Sequence, residues 1–423
     1  MLRRCVAVFG VLCLFAVASA AGELSPAELI DQDWLPQAPP LPAPGGQVLR
    51  AETVRQIFDA VANLEPGGTV LVADGRYEMP RSLHIRTDGA TLRGESGDRS
   101  KVVLDFAESR HGEGVCISYA TGVTVADLTV ANVYWNAIKI NSDHDVHRAT
   151  IYNVVSRNAW QRHVKGPGIP DKDGRPQYNQ GSRIQYCLFY NDRPKRPGDD
   201  PYEDGNEGQR FGFNYIGGID VMRASGWTIS DNVFVGIRGR TREGRGAIFL
   251  WHHTRDSVVE RNIIIDCDLG IALGNASGRG ELRHAENMMV RNNFITRAPQ
   301  GGIVAIHTRD CRIVHNTVHE PDSRLHRLVR AVFANDGLVV RNNLLSGPGI
   351  RIGADIGEVT VENNRVEPMT GYFVDPARGN LRLTPEAVNA IGRAVPTDEA
   401  ETDIDGRPRG DTPDLGAHQL ADN

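Results

Sequence analysis

The sequence predicts an all-β parallel β-helix, a solenoid closed at its N-terminal end by a helix. Three observations predict it. A phrase built on Asn returns along most of the chain, its runs are β-branched and too short for helices, and one amphipathic stretch precedes the first copy.

The repeat is a short β-branched run, an Asn, two or three apolar residues, a turn, and a second apolar run opening with Gly or Ala. Its clearest copies are VVERNIIIDCDLGIALG (258–274), MVRNNFITRAPQGGIVAI (289–306) and LVVRNNLLSGPGIRIG (338–353). Aligned on that Asn, the positions are Asp127, Asn153, Cys187, Asn232, Asn262, Asn293, Asn316, Asn343 and Asn364. Their spacing of 21 to 45 residues suits one solenoid coil each. Such units cannot close a core singly and must stack. An Asn in a tight turn tolerates left-handed backbone and can bond its equivalents in neighbouring coils, so the ladder is read as structural.

The ends follow from the same logic. Residues 1–20 carry Arg3 and Arg4, the apolar run Val6–Val17 and then Ala18-Ser19-Ala20, the pattern of a cleaved signal peptide; a secreted or periplasmic protein is expected. No later run is long and apolar enough to enter a membrane once this segment is removed. Residues 21–46 contain APPLPAPGG and read as a Pro-rich linker or extended arm. Val54, Ile57, Phe58, Val61 and Leu64 recur at helical spacing after Thr53, giving a capping helix over 51–64. The β-helix domain spans 47–380, and 381–423 forms a C-terminal tail or cap.

Composition excludes several classes. The formal charge is −6, from 47 Lys and Arg against 53 Asp and Glu, which argues against a protein that coats nucleic acid by charge. Cys116, Cys187, Cys267 and Cys311 follow neither a disulfide framework nor a CxxC spacing, and buried thiols are expected. No P-loop, dinucleotide fingerprint or HExxH spacing occurs. A monomer is expected.

The helix followed by PGGTVLVADGRYEM and by Asn-anchored coils resembles the right-handed parallel β-helix proteins of the pectate-lyase-like superfamily, over roughly residues 47–380. The tail DIDGRPRGDTPDLGAHQ (403–419) resembles the closing motif of many secreted β-helix proteins. GGIDVMRASGWTISDNVF with AIFLWHHTRDSVVERNIIIDCDLGIALG is similar to a bacterial secreted subgroup of unknown activity. Membership implies mostly polysaccharide lyases, hydrolases and epimerases, but a fold does not fix a reaction.

Long insertions at 161–183, 192–217 and 238–246 break the repeat and should line one face. Between Arg157 and Arg245 stand 15 basic and 11 acidic residues, a local excess of positive charge that suits an anionic polysaccharide. In AIKIN, GIDVMR and AIFLWHH the alternate Ile, Val and Leu must face inward. Lys139, Asn141, Asp220, Met222, Phe249 and Trp251 then face out. Gln161, Arg162, His163 and Lys165 belong to the coil between, in an open register.

A uronate lyase must neutralise the carboxylate, remove the α-proton and release the leaving oxygen. The expected roles are therefore Lys165 or His163 as base, Arg162 and Arg223 on carboxylate, and Asp220 orienting one of them. Trp251 would stack on a sugar, with Lys139, Asn141, His252, Arg240 and Arg245 lining the binding surface. Asp143, Asp145, Asp220, Asp266 and Asp268 leave a glycoside hydrolase open. Ser142-Asp143-His144-Asp145 shares His144 and Asp145 with the Asp-Pro-His-Asp of mannuronan epimerases, which begin with the same proton abstraction. A non-catalytic glycan-binding or structural surface protein is the alternative from another class. The sequence fixes no cofactor, and the acidic run from Asp199 to Glu207 offers oxygen ligands for Ca2+.

Overall fold

The computed structural model describes residues 24–200, 211–276, 283–323, 325, 327–354 and 356–420; the expected signal peptide lies outside them. Inward Ile and Val residues at equivalent positions stack from coil to coil, as in Ile138, Val164, Ile219, Ile248, Ile271 and Ile303, all fully buried. Burying each such side chain contributes roughly 1.5–3 kcal/mol, and the stack forms one continuous interior. The result is a right-handed parallel β-helix of three parallel sheets. Sheet 1 has 12 strands, from Val48–Ala51 to Val359–Glu362; sheet 2 has 14 and sheet 3 has 11 among the described residues.

Helix α1 spans Pro26–Ile30 and helix α2 spans Val54–Ala62. The Thr53 hydroxyl accepts the Gln56 N–H to start α2, whose buried Ile57, Ala60 and Val61 join the interior at the first coil. The cap is thus shorter than the 51–64 expected from spacing, because Ala51 already belongs to a strand and Asn63 ends the helix.

The ladder is real, with one correction to its alignment. Asn232, Asn262, Asn293, Asn316 and Asn343 are fully buried, and each Nδ2 donates to the Oδ1 of the next, ending on Asn364, at 2.8–3.0 Å. The left-handed residue is not the ladder Asn but the one before it: Asp231, Arg261, Asn292, His315, Asn342 and Asn363 all have φ between 48° and 61°. Asp127 and Asn153 occupy this left-handed position, so the ladder site in their coils is Leu128 and Val154. Polar residues recur at both turn positions for different reasons, backbone tolerance at one and amide stacking at the other.

The two ends are docked along the solenoid. The arm is no free linker: Leu29 and Leu35 are buried against Val155, Leu188, Val233 and Val235 on the outer face of sheet 3. The Tyr152 hydroxyl donates to Pro39 O, and Arg93 donates to Pro42 O. After the hairpin Phe373–Asp375 with Asn380–Leu383, the tail covers the rest of that face, over Ile263, Ile265, Phe294 and Leu344. Buried Arg409 locks it, donating to Asn292 Oδ1, Asp414 O and Gly416 O. Cys116, Cys187, Cys267 and Cys311 are buried free thiols, each pushed up to about 12, chiefly by burial. No helix is long and apolar enough to cross a membrane among the described residues.

Candidate functional site

Sheet 2 carries one outward row that runs Lys139, Lys165, Asp220, Phe249, Ala272, Val304, Arg330 and Arg351, one residue per coil. Met222 and Trp251 are paired two residues further along their strands. Asp220 is its hub. Oδ2 accepts Arg162 Nε at 2.6 Å; Oδ1 lies 3.0 Å from Lys165 Nζ and accepts Trp251 Nε1 at 3.0 Å. Burial opposes ionisation of this carboxyl most strongly. The charges of Lys165 and Arg162 and the hydrogen bonds from Arg162 and Trp251 together outweigh it, and hold Asp220 well below the usual carboxylate range.

Two assigned roles fail on geometry. His163 is fully buried, its Nδ1 is 2.7 Å from Ser156 Oγ, and its ring packs on Phe189. Burial, opposed by the contact with Ser156, pushes it down to about 3. At the entry to the strand Arg162–Gly166, His163 and Val164 both pack inward, so strict alternation breaks at this corner. Arg162 is 1% exposed, lies over the Tyr215 ring and is committed to Asp220 and the Gln161 carbonyl, out of reach of a substrate carboxylate. Asp220 therefore orients Arg162 and not Arg223, which pairs with Asp171 of the 161–183 loop.

The remaining residues divide into those near the hub and those apart from it. Trp251 stacks on Phe249, with centroids 5.1 Å apart, and meets His252 edge-on at 4.2 Å. His252 is half-buried; burial first, then His253, Arg223 and Lys165, lower its pKa, so its imidazole is neutral at pH 7. Lys139 is ion-paired with Glu113, and Asn141 Nδ2 donates to Ser118 Oγ; both lie on earlier coils. Arg240 and Arg245 lie over Phe213 and Phe211 on the flanking loops.

Of the carboxylates considered for a hydrolase, Asp220, Asp266 and Asp268 are held by structural partners. Asp268 Oδ2 accepts Gly239 N and Gly244 N, while Asp266 pairs with Arg238 and Arg242, so both anchor the 238–246 loop. Asp143 and Asp145 are exposed on the turn around Ser142–His144. Of the acidic run, Glu203, Asp204 and Glu207 lie outside the described residues. Asp199 binds Arg193 through both oxygens, and buried Asp200 faces buried Lys195. Asp403, Asp405 and His418 cluster elsewhere, but Asp403 accepts the N–H groups of Asp405, Arg407 and Gln419, and Asp405 pairs with Arg382. Those contacts close the tail loop.

Sequence reasoning missed an aromatic file beside the outward row. His252, His284, His307 and Phe333 follow one another at centroid distances of 5.2–5.7 Å. His252 follows a strand of sheet 2, His284 precedes one, and His307 and Phe333 lie within two others, so neither strand ends nor zinc-motif spacing marks the file in the sequence.

No protein-family model matches the chain, and no curated protein matches it. Among solved structures it is similar to the pectate lyase Pel9A, with a TM-score of 0.54 and 12% identity over 86% of this chain and 90% of that one. It is also similar to the alginate lyase AlyF-OU02, at a TM-score of 0.46 and 12% identity over 95% and 99% of the two chains. A third similarity is to PfbA, a surface adhesin of Streptococcus pneumoniae, at 0.45 and 14% over 75% and 86%. The likeness to Pel9A establishes the class: this is a parallel β-helix protein with the pectate-lyase-like fold.

Proposed function

We propose that the protein is a secreted or periplasmic enzyme that acts on an anionic, uronate-containing polysaccharide by proton abstraction and β-elimination. The observation that carries this reading is the convergence of Lys165, Trp251 and His252 around buried Asp220 on an outward face flanked by long loops.

The roles follow from charge state. The Lys165 ammonium, fixed by Asp220, meets the uronate carboxylate and makes the α-proton acidic, with Arg223 at the flank. The neutral imidazole of His252 takes that proton. The electron pair left on carbon forms the new C=C bond as the glycosidic C–O bond at the β-carbon breaks, and the leaving oxygen gains a proton from water. The exposed part of Trp251 contacts the sugar. The sequence left Lys165 or His163 as base; this reading gives that step to His252 and keeps Lys165 as the cation.

Absorbance near 235 nm, followed with polygalacturonate, alginate and glycosaminoglycans with and without calcium, tests the proposal. A rise that His252→Ala and Lys165→Ala reduce at least about 100-fold is expected. No rise, no new reducing ends and no epimer change, with glycan still bound, would replace it with the glycan-binding reading that the aromatic file favours.

A further inference from the structure

Four coils beyond Asp220, the same outward row ends on two arginines in direct register, Arg330 and Arg351. Arg327 stands beside them, its Nη2 donating to Gln300 Oε1 at 2.9 Å. Lys139, Lys165, Arg223 and Arg242 on this face each meet a carboxylate. Arg327, Arg330 and Arg351 meet none among the described residues, and the Nε atoms of Arg327 and Arg330 are buried without an acceptor. Like charges directly opposite on neighbouring strands repel, and that repulsion is relieved when an anion sits between them.

We propose that Arg327, Arg330 and Arg351 form a second anion-binding site, which takes carboxylate or sulfate groups of an acidic polysaccharide lying along the solenoid axis. The floor between the two sites is Phe249, Ala272 and Val304, and His284, His307 and Phe333 run beside it. A ligand held at both Lys165 and Arg330 must therefore present anionic groups about 24 Å apart, five coil spacings, with less polar faces between them. A chain of acidic sugars has that pattern, and a single small anion does not. Burial and mutual repulsion lower the pKa of Arg327 and Arg330, which accords with guanidinium groups lacking a counter-ion. Naming the ligand as a longer stretch of the same glycan rests on the proposed function; the existence of the anion site does not.

The test is calorimetric binding of alginate and heparin hexasaccharides and disaccharides, and of a hexanucleotide as a polyanion control, to the wild type, Arg330→Ala/Arg351→Ala and Lys165→Ala. The double variant should bind the better hexasaccharide at least 10-fold more weakly, with disaccharide binding at the Lys165 site unchanged and a melting temperature no lower than wild type. Preference for alginate or heparin distinguishes carboxylate from sulfate. Unchanged hexasaccharide affinity in a folded double variant overturns the proposal, as does equal loss of hexanucleotide binding, which would reveal an unselective polyanion patch. Lost binding in the double variant, in a protein that turns over no glycan, would sink the lyase reading and leave this site standing.

Discussion

Lys165 Nζ lies 3.0 Å from Asp220 Oδ1 although the two residues are 55 positions apart in sequence, because they are direct partners on adjacent strands of sheet 2. The same carboxylate holds Arg162 and Trp251, so one buried group sets the position of three side chains. Its loss should be felt in both stability and function.

Asp220→Asn should destabilise the fold by about 3 kcal/mol at pH 7, since it removes the buried carboxylate that pairs with Arg162 and Lys165. Because Asp220 is depressed in the folded state, its stabilisation is fully present above the unfolded carboxyl value near ~3.9 and fades as pH falls below it. Urea midpoints at pH 7 and pH 3 check this: the gap between wild type and variant should narrow at the lower pH.

If His252 is the base, the acid limb of kcat/KM lies below the ordinary histidine value of about 6.5, because burial and the surrounding cations favour neutral imidazole. An acid limb above that value would point to another base. The profile should lose this limb in His252→Ala.

Asn293→Leu should cost about 2–3 kcal/mol, since Asn262 N and Nδ2 lose their acceptor, and the Val259 carbonyl and Asn316 Oδ1 lose a donor, inside a dry interior. Denaturant unfolding of the variant measures it. The same change at Val154, which occupies the ladder position in an earlier coil without any amide, should cost under about 1.5 kcal/mol.

Arg409→Ala should loosen the tail and expose Ile263, Ile265, Phe294 and Leu344 on sheet 3. The expected signs are binding of an apolar dye by native protein and earlier proteolysis after residue 383. Unchanged dye binding and proteolysis would show that the tail holds without this residue.

The thiols of Cys116, Cys187, Cys267 and Cys311 should be inert to a thiol reagent in the native state and react together on unfolding. Reaction of any one of them in native protein would contradict its burial.

The repeat determined the solenoid because its signals are local: two-residue alternation names the inward Ile of each strand, and an Asn every 21–31 residues marks each coil from Asn232 to Asn364. The outward placement of Lys139, Asp220, Phe249 and Trp251 was legible for the same reason. Tertiary structure alone decided where the alternation breaks, turning His163 into the core at the entry to its strand, and which carboxylate each cation meets. Insertions of unequal length separate Arg162 from Asp220 by 58 residues and Lys165 from Asp220 by 55. No sequence period spans such distances; stacking does, since it brings one residue of each coil within about 4.8 Å of the next whatever the loop between them. The docking of residues 24–46 and 381–420 on sheet 3 was hidden likewise, because an apolar outer face reads as ordinary strand until something is seen to cover it.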